Sequence, residues 1–233
     1  MPETSAVHQT APRCYNDSVA VNGNSQTGWN VQAITFDAGQ IAFQPDHPPP
    51  TPAEQEVRVR VLEAGICETD LQLARGYMGF RGVPGHEFVG VAEDGPLAGS
   101  RVVGEINCNC RNCPRCVSGL GNHCDQRTVI GIDRHDGAFA EFVSVPAHHL
   151  HPIPDTVTND QAVLVEPLAA AFEITRQVAL DNVSRAIVLG DGRLAYFCVQ
   201  VLRNRVGQIE VVGKHPIKLA RFAATGVPAH ALA

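Results

Sequence analysis

The chain has 233 residues, 44% of them hydrophobic, enough for one large domain or two modest ones with buried cores. Its formal net charge of -6 offers no basic field for nucleic acid, and no apolar run approaches the roughly 18 residues that cross a bilayer. No basic segment followed by an apolar one opens the chain, so the expected setting is soluble and cytoplasmic, with a small-molecule partner, no nucleic acid and no membrane.

Residues 1–28 are rich in Ser, Thr, Asn, Gln and Gly without an apolar period and read as a disordered tail, in which Cys14 is incidental. From Trp29 the pattern turns to short strands. VQAITF comes first, followed by the HPPPTP segment, whose prolines keep the backbone extended, and then by VRVRVLEAG, in which Val57, Val59 and Val61 alternate with Arg58 and Arg60. FVGVAE, RVVGEI and AEFVSV follow between Gly and Pro turns, which predicts a mostly-β domain, an open barrel or sandwich, over 29–157. A cap at Thr158 or Asn159 opens a helical period through TNDQAVLVEPLAAAFEITRQVAL, read as a connecting helical segment over 158–184.

Residues 185–233 then alternate. Ala186–Leu189 is a short apolar strand, Gly190-Asp191-Gly192 a tight turn, LAYFCVQVLRNR a helix, IEVVG a strand and PIKLARFAATG a second helix. Strand, glycine turn, helix, strand is the opening of a dinucleotide-binding unit, with Gly190 for the turn, Gly192 for close approach of a pyrophosphate and Ala195 for helix packing. The fold class is therefore α/β.

Two groups of metal-type residues stand in the first part. Cys110, Cys113, Cys116 and Cys124 form a CxxCxxCx7C array in a lobe over about 104–126. That spacing closes four thiolates around one tetrahedral zinc, and because protein fills every position the ion is structural. Disulfides would not persist in a reducing compartment, and Cys108 lies outside the spacing and reads as a spectator. The second group is Cys67 in GICETD at a strand end, His86 and Glu87 in GVPGHEFVG, and Glu166 in VEPLAA. A thiolate, an imidazole and a carboxylate with one open position make a catalytic type of zinc site. Singly, each is weak, since a lone His before a Glu is more often a surface or core residue.

Through GICETDL, GHEFVG, the four-cysteine lobe, GAFAEF at 137–142, VEPLAAA and VLGDGRLA, in that order over residues 30–233, the chain resembles the zinc-dependent medium-chain dehydrogenase/reductase family, which includes the alcohol dehydrogenases. The resemblance implies a mostly-β GroES-like catalytic domain followed by a Rossmann (doubly wound) nucleotide-binding domain. That second domain is only partial here, because the stretch after Gly190 can supply two strands and two helices at most. It implies a catalytic zinc on Cys67 and His86, with Glu166 direct or through water and Glu87 as an adjacent or exchanging ligand. The choice between the two glutamates stays open.

It also implies that Asp70 orients His86, a plain loop cap being the alternative, and that Thr69 begins a proton relay. The residue ending that relay in some relatives falls at Gln72, which does not titrate. The implied reaction is hydride transfer between an alcohol or carbonyl substrate and NAD(P). Gly213, Lys214 and His215 at the end of the second strand favour a ribose 2′-phosphate and hence NADP, while Glu210 keeps NAD open. Cys198 reads as core, and His148, His149 and His151 as surface residues of a strand. The apolar edge at AIVLG calls for a homo-oligomer or partner chain. The alternative function is a catalytically inactive zinc-binding fragment acting through association with other subunits.

Overall fold

The computed structural model describes residues 28–232, so the tail expected over 1–28, with Cys14, lies outside the described residues except for Gly28. Two compact units meet between Val163 and Leu164. The first begins with β1 (Val31–Asp37), β2 (Gln40–His47), β3 (Glu56–Gly65), α1 (Glu68–Ala74), β4 (Arg81–Gly82), β5 (Glu87–Ala92) and β6 (Arg101–Gly104). It continues through β7 (Asn107–Cys108), α2 (Pro114–Val117), β8 (Thr128–Val129), β9 (Phe142–Pro146), β10 (Leu150–Pro152) and α3 (Asn159–Ala162).

Its main sheet has the order β10-β6-β5-β3-β9, antiparallel throughout, and a smaller sheet has the order β2-β1-β4. Alternation in β3 sends Val57 and Val59 into a core with Phe88, Val102, Val143 and Val145, while Arg58 and Arg60 face outward to Glu93. Val61 is only half-buried, because the register against β5 shifts between Val61 and Glu63. The strand length and the shift together deliver Gly65, and two residues later Cys67, to the end of the sheet.

Two expectations in this unit, on Cys67 and on His149, need correction. Cys67 does not end a strand: β3 stops at Gly65 and Cys67 is the N-cap of α1. Cys108, outside the four-thiol group as expected, is 3% exposed and belongs to the main core, its thiol 4.0 Å from the Ile106 carbonyl oxygen. His149 is also 3% exposed; residues 147–149 form a 3-10 turn, which lets adjacent side chains face the same side, instead of the strand that would have kept them apart.

The second unit runs α4 (Val165–Phe172), α5 (Ile174–Gln177), β11 (Arg185–Leu189), α6 (Arg193–Leu202), β12 (Gln208–Gly213), α7 (Pro216–Ala223) and β13 (Ala229–Ala231). The helical segment expected over 158–184 is thus three short helices, α3 to α5. Pro167 explains the first break: it lacks an N–H and fits only the opening turn of a helix, which is where it stands in α4. β11, β12 and β13 form a parallel sheet in that order, each pair joined through a helix. Ala195, Val199 and Leu202 of α6 recur at helical spacing and pack with Ile209, Val211, Leu219 and Phe222. Cys198 is half-buried at the margin of this core instead of within it. Among the described residues β11 pairs on one side only, and its Ile187 and Leu189 are 53% and 79% exposed. Among the described residues no helix is long and apolar enough to cross a membrane.

Candidate metal centres and nucleotide turn

The thiol lobe is built almost wholly from local chain. Cys113 precedes α2, whose first residue is Pro114, and one turn later Cys116 comes back toward Cys110; a 3-10 turn at Gly121–His123 then returns Cys124. The Sγ atoms of Cys110 and Cys116 lie 3.9 Å apart, those of Cys113 and Cys124 3.9 Å, and those of Cys124 and Cys110 3.5 Å. Four sulfurs at about 2.3 Å from a tetrahedral zinc would be about 3.8 Å from one another, so the array has the right size for that ion. A disulfide needs sulfurs at about 2.0 Å, and all four cysteines are free. Crowded thiols resist sharing negative charge: backbone N–H donation holds Cys113 down at about 7, while burial and its neighbours push Cys116 up to about 12. A divalent cation is the group that lets all four ionise together.

The second cluster comprises Cys67, His86 and Glu87, whose ligand atoms all lie within 4.8 Å of one another. Each is placed by a different local device. Cys67 caps α1, with its N–H donating to Asp70 Oδ2 at 2.7 Å. His86 follows a turn clamped by backbone bonds from Gly137 to Val83, Ala138 to Gly85 and Phe139 to Pro84. Gly85 has φ +97 and is packed against the Phe139 ring so closely that no side chain would fit. Glu87 opens β5, fully buried, and its carboxylate occupies the space that a side chain at Gly65 would need. Asp136 fixes the approach to this turn by accepting the Val83 N–H at 2.8 Å.

One carboxylate oxygen of Asp70 caps Cys67, and the other stands 3.4 Å from His86 Nδ1, with both side chains almost fully buried. Burial alone would lower the pKa of His86, but hydrogen bonds with Asp70 and Cys67 outweigh it and raise the value to about 10. The same contact lowers that of Cys67, chiefly through His86. Thr69 Oγ1 is 3.7 Å from Cys67 Sγ, and Gln72 turns away to donate to Glu68 at 2.7 Å. A half-buried soft thiolate, a buried imidazole with Nδ1 directed at a carboxylate, and a buried carboxylate are a donor set that fits zinc. Glu166 belongs to the second unit, half-buried at the second position of α4.

In that unit Gly190 follows β11 with φ +123, a region open to glycine, and the space a side chain would take at Gly190 or Gly192 is clear. Gly192 then caps α6, with Ala195 inside its first turn. This turn therefore leaves room for a phosphate-bearing ligand at the start of a ten-residue helix. Gly213 ends β12, and Lys214 and His215 are exposed beyond it. Both backbone N–H groups of that pair are taken by Asp191, a residue the sequence reading passed over. An acid inside a glycine turn together with a glycine at the strand end was the available signal.

A model of the alcohol dehydrogenase GroES-like domain matches residues 53–155. The starvation-sensing protein RspB of Escherichia coli K12 is 35% identical over 164 residues, 66% of this chain and 48% of that protein. The crystal structure of the alcohol dehydrogenase rspB from Escherichia coli CFT073 in complex with NADH superposes with a TM-score of 0.79 at 31% identity, over 88% of this chain and 63% of that one. A zinc-binding dehydrogenase of Sinorhizobium meliloti 1021 bound to NADP gives 0.76 at 29%, over 86% and 61%. The chain thus spans about half the length of the curated relative it matches. With a mostly-β unit carrying both metal-type clusters ahead of a parallel βαβ unit with its glycine turn, the chain is similar in sequence and fold to zinc-binding dehydrogenases of the alcohol dehydrogenase type.

Proposed function

We propose that the chain carries the metal centre and the adenosine-side nucleotide turn of a zinc-dependent dehydrogenase that moves hydride between an alcohol or carbonyl substrate and a nicotinamide dinucleotide. The observation that supports this most is the cluster of half-buried Cys67 with buried His86 and Glu87, braced from behind by Asp70 and kept apart from a four-thiol lobe.

Asp70 holds the His86 ring through Nδ1 and so leaves Nε2 free to ligate. Cys67 supplies a thiolate favoured by that same imidazole. Glu87 or Glu166 completes the set. A zinc ion held there supplies Lewis acidity that makes an alcohol hydroxyl acidic near neutral pH. Thr69 Oγ1, beside the thiolate, accepts that proton and passes it to solvent, because Gln72 offers no titrating group. The lobe of Cys110, Cys113, Cys116 and Cys124 takes a second, structural zinc. Lys214 favours NADP at the ribose, whereas the Asp191 carboxylate beside it works against a phosphate.

Elemental analysis of freshly purified chain should give two zinc equivalents. Cys67→Ala should retain one with an unchanged melting temperature, and Cys113→Ala should retain the other with a clearly lower one. Zinc-free protein that is folded and thermally stable would sink the proposal.

A further inference from the structure

In a strand–turn–helix–strand nucleotide unit, an acid at the end of the second strand holds the hydroxyls of the adenosine ribose. This chain has Gly213 there, and an acid could not be accommodated. A Cβ at 213 would come within 2.6 Å of both Cβ and Oδ2 of Asp191 and 2.8 Å of its Cγ. The place is already filled from the glycine turn.

Asp191 reaches across the ends of the two paired strands. Its Oδ2 accepts the backbone N–H of Lys214 at 2.7 Å and of His215 at 2.6 Å, and the His215 Nδ1 lies 3.0 Å from Oδ1. The side chain is 8% exposed, and the His215 ring and these N–H donors hold its pKa down to about 2. A permanent negative charge therefore sits on two main-chain donors just ahead of α7. Those N–H groups and that helix start are what a ribose 2′-phosphate would have to use, and an anion already has them. Oδ1 keeps an accepting position for a hydroxyl, since an ionised carboxylate offers about four such positions. Lys214 cannot reverse the preference, because its side chain is exposed and solvated while a phosphate would lie against the buried carboxylate.

We propose that Asp191 is the specificity-determining residue for the cofactor: transferred from the strand end to the glycine turn, the acid receives the free 2′-hydroxyl and excludes the 2′-phosphate, so the chain selects NAD(H) over NADP(H). The proposal rests on the dinucleotide reading of that turn and reverses the choice suggested by Lys214 and His215 alone.

The test is calorimetric titration of the full chain with ADP-ribose and with 2′-phospho-ADP-ribose, which probe this subsite without any chemistry. The unsubstituted probe should bind at least about tenfold more tightly. Asp191→Asn, confirmed folded by circular dichroism, should bring the two within about threefold, chiefly by improving the phosphorylated probe. The double change Asp191→Gly, Gly213→Asp, which removes the obstructing Cβ and returns the acid to the strand end, should restore the preference. Equal or tighter binding of the phosphorylated probe by wild type overturns the proposal without any variant, as does an unchanged ratio in Asp191→Asn. Failure of wild type to bind either probe overturns the dinucleotide reading itself, and the proposal with it.

Discussion

Gly65 and Glu87 show how a single residue can protect a reactive group. A Cβ at position 65 would lie 2.6 Å from Glu87 Oε2 and 3.3 Å from Glu87 Cβ, and Glu87 is fully buried. Gly65→Ala should therefore displace the carboxylate and destabilise the fold by about 1–3 kcal/mol. If Glu87 is a zinc ligand, graded chelator should strip one equivalent from this variant well before wild type while the thiol lobe keeps its own. Equal retention of both equivalents would show that Glu87 is not a ligand. The four lobe cysteines could be read from the sequence because metal ligation needs donor atoms at short spacings, whereas Cys67, His86 and Glu87, farther apart, were read through the family resemblance. The work of Asp191 could not, since its partners at 214 and 215 become neighbours only when β11 and β12 pair.

Elements with a one-sided environment were the legible ones. β3 alternates valine with arginine because one face meets the core, and α6 repeats apolar residues at helical spacing for the same reason. β2 carries no such mark: nearly all of its residues are exposed, so nothing in QIAFQPDH separates an inner from an outer face. α1 is seven residues long and buries only Asp70 and Leu73, too few to establish a period. Where a cap supplies its own chemistry, the boundary was readable. Thr158 accepts the Gln161 N–H at 3.3 Å and Gln161 returns a bond to the Thr158 N–H at 3.1 Å, which starts α3 as expected. Asn159 at the head of that helix also receives Arg101 at 2.7 Å, tying the helix to β6. Thr158→Ala should cost about 1 kcal/mol, seen as a lower urea midpoint at unchanged slope.

For the molecule as a whole, two buried histidines set opposite pH limits on stability. Burial, with His148 adding to it, depresses His149 to about 4, so the folded chain carries fewer protons there than the unfolded chain. Its contribution is complete above about 6.5 and is lost as pH falls toward about 4. Glu105 acts against this shift, while His151 and Arg111 reinforce it. His135 behaves in reverse. Burial would lower it, yet Cys108 and Glu56 raise it to about 10, so its contribution is complete below about 6.5 and is lost as pH climbs through about 10. Melting temperatures measured from pH 4 to 10 should fall at both ends, with His149→Phe flattening the acid limb and His135→Gln the alkaline limb; limbs unaltered in these variants would refute the assignment.

The thiol lobe also bears on how such a molecule comes into being. Its four sulfur donors lie within fifteen consecutive residues, from Cys110 to Cys124, so closing the loop costs little chain entropy and needs nothing from the second unit. During synthesis this stretch leaves the ribosome ahead of the entire βαβ unit, so metal capture there can be an early event in biogenesis, giving the nascent first unit a fixed corner before its nucleotide-side neighbour exists.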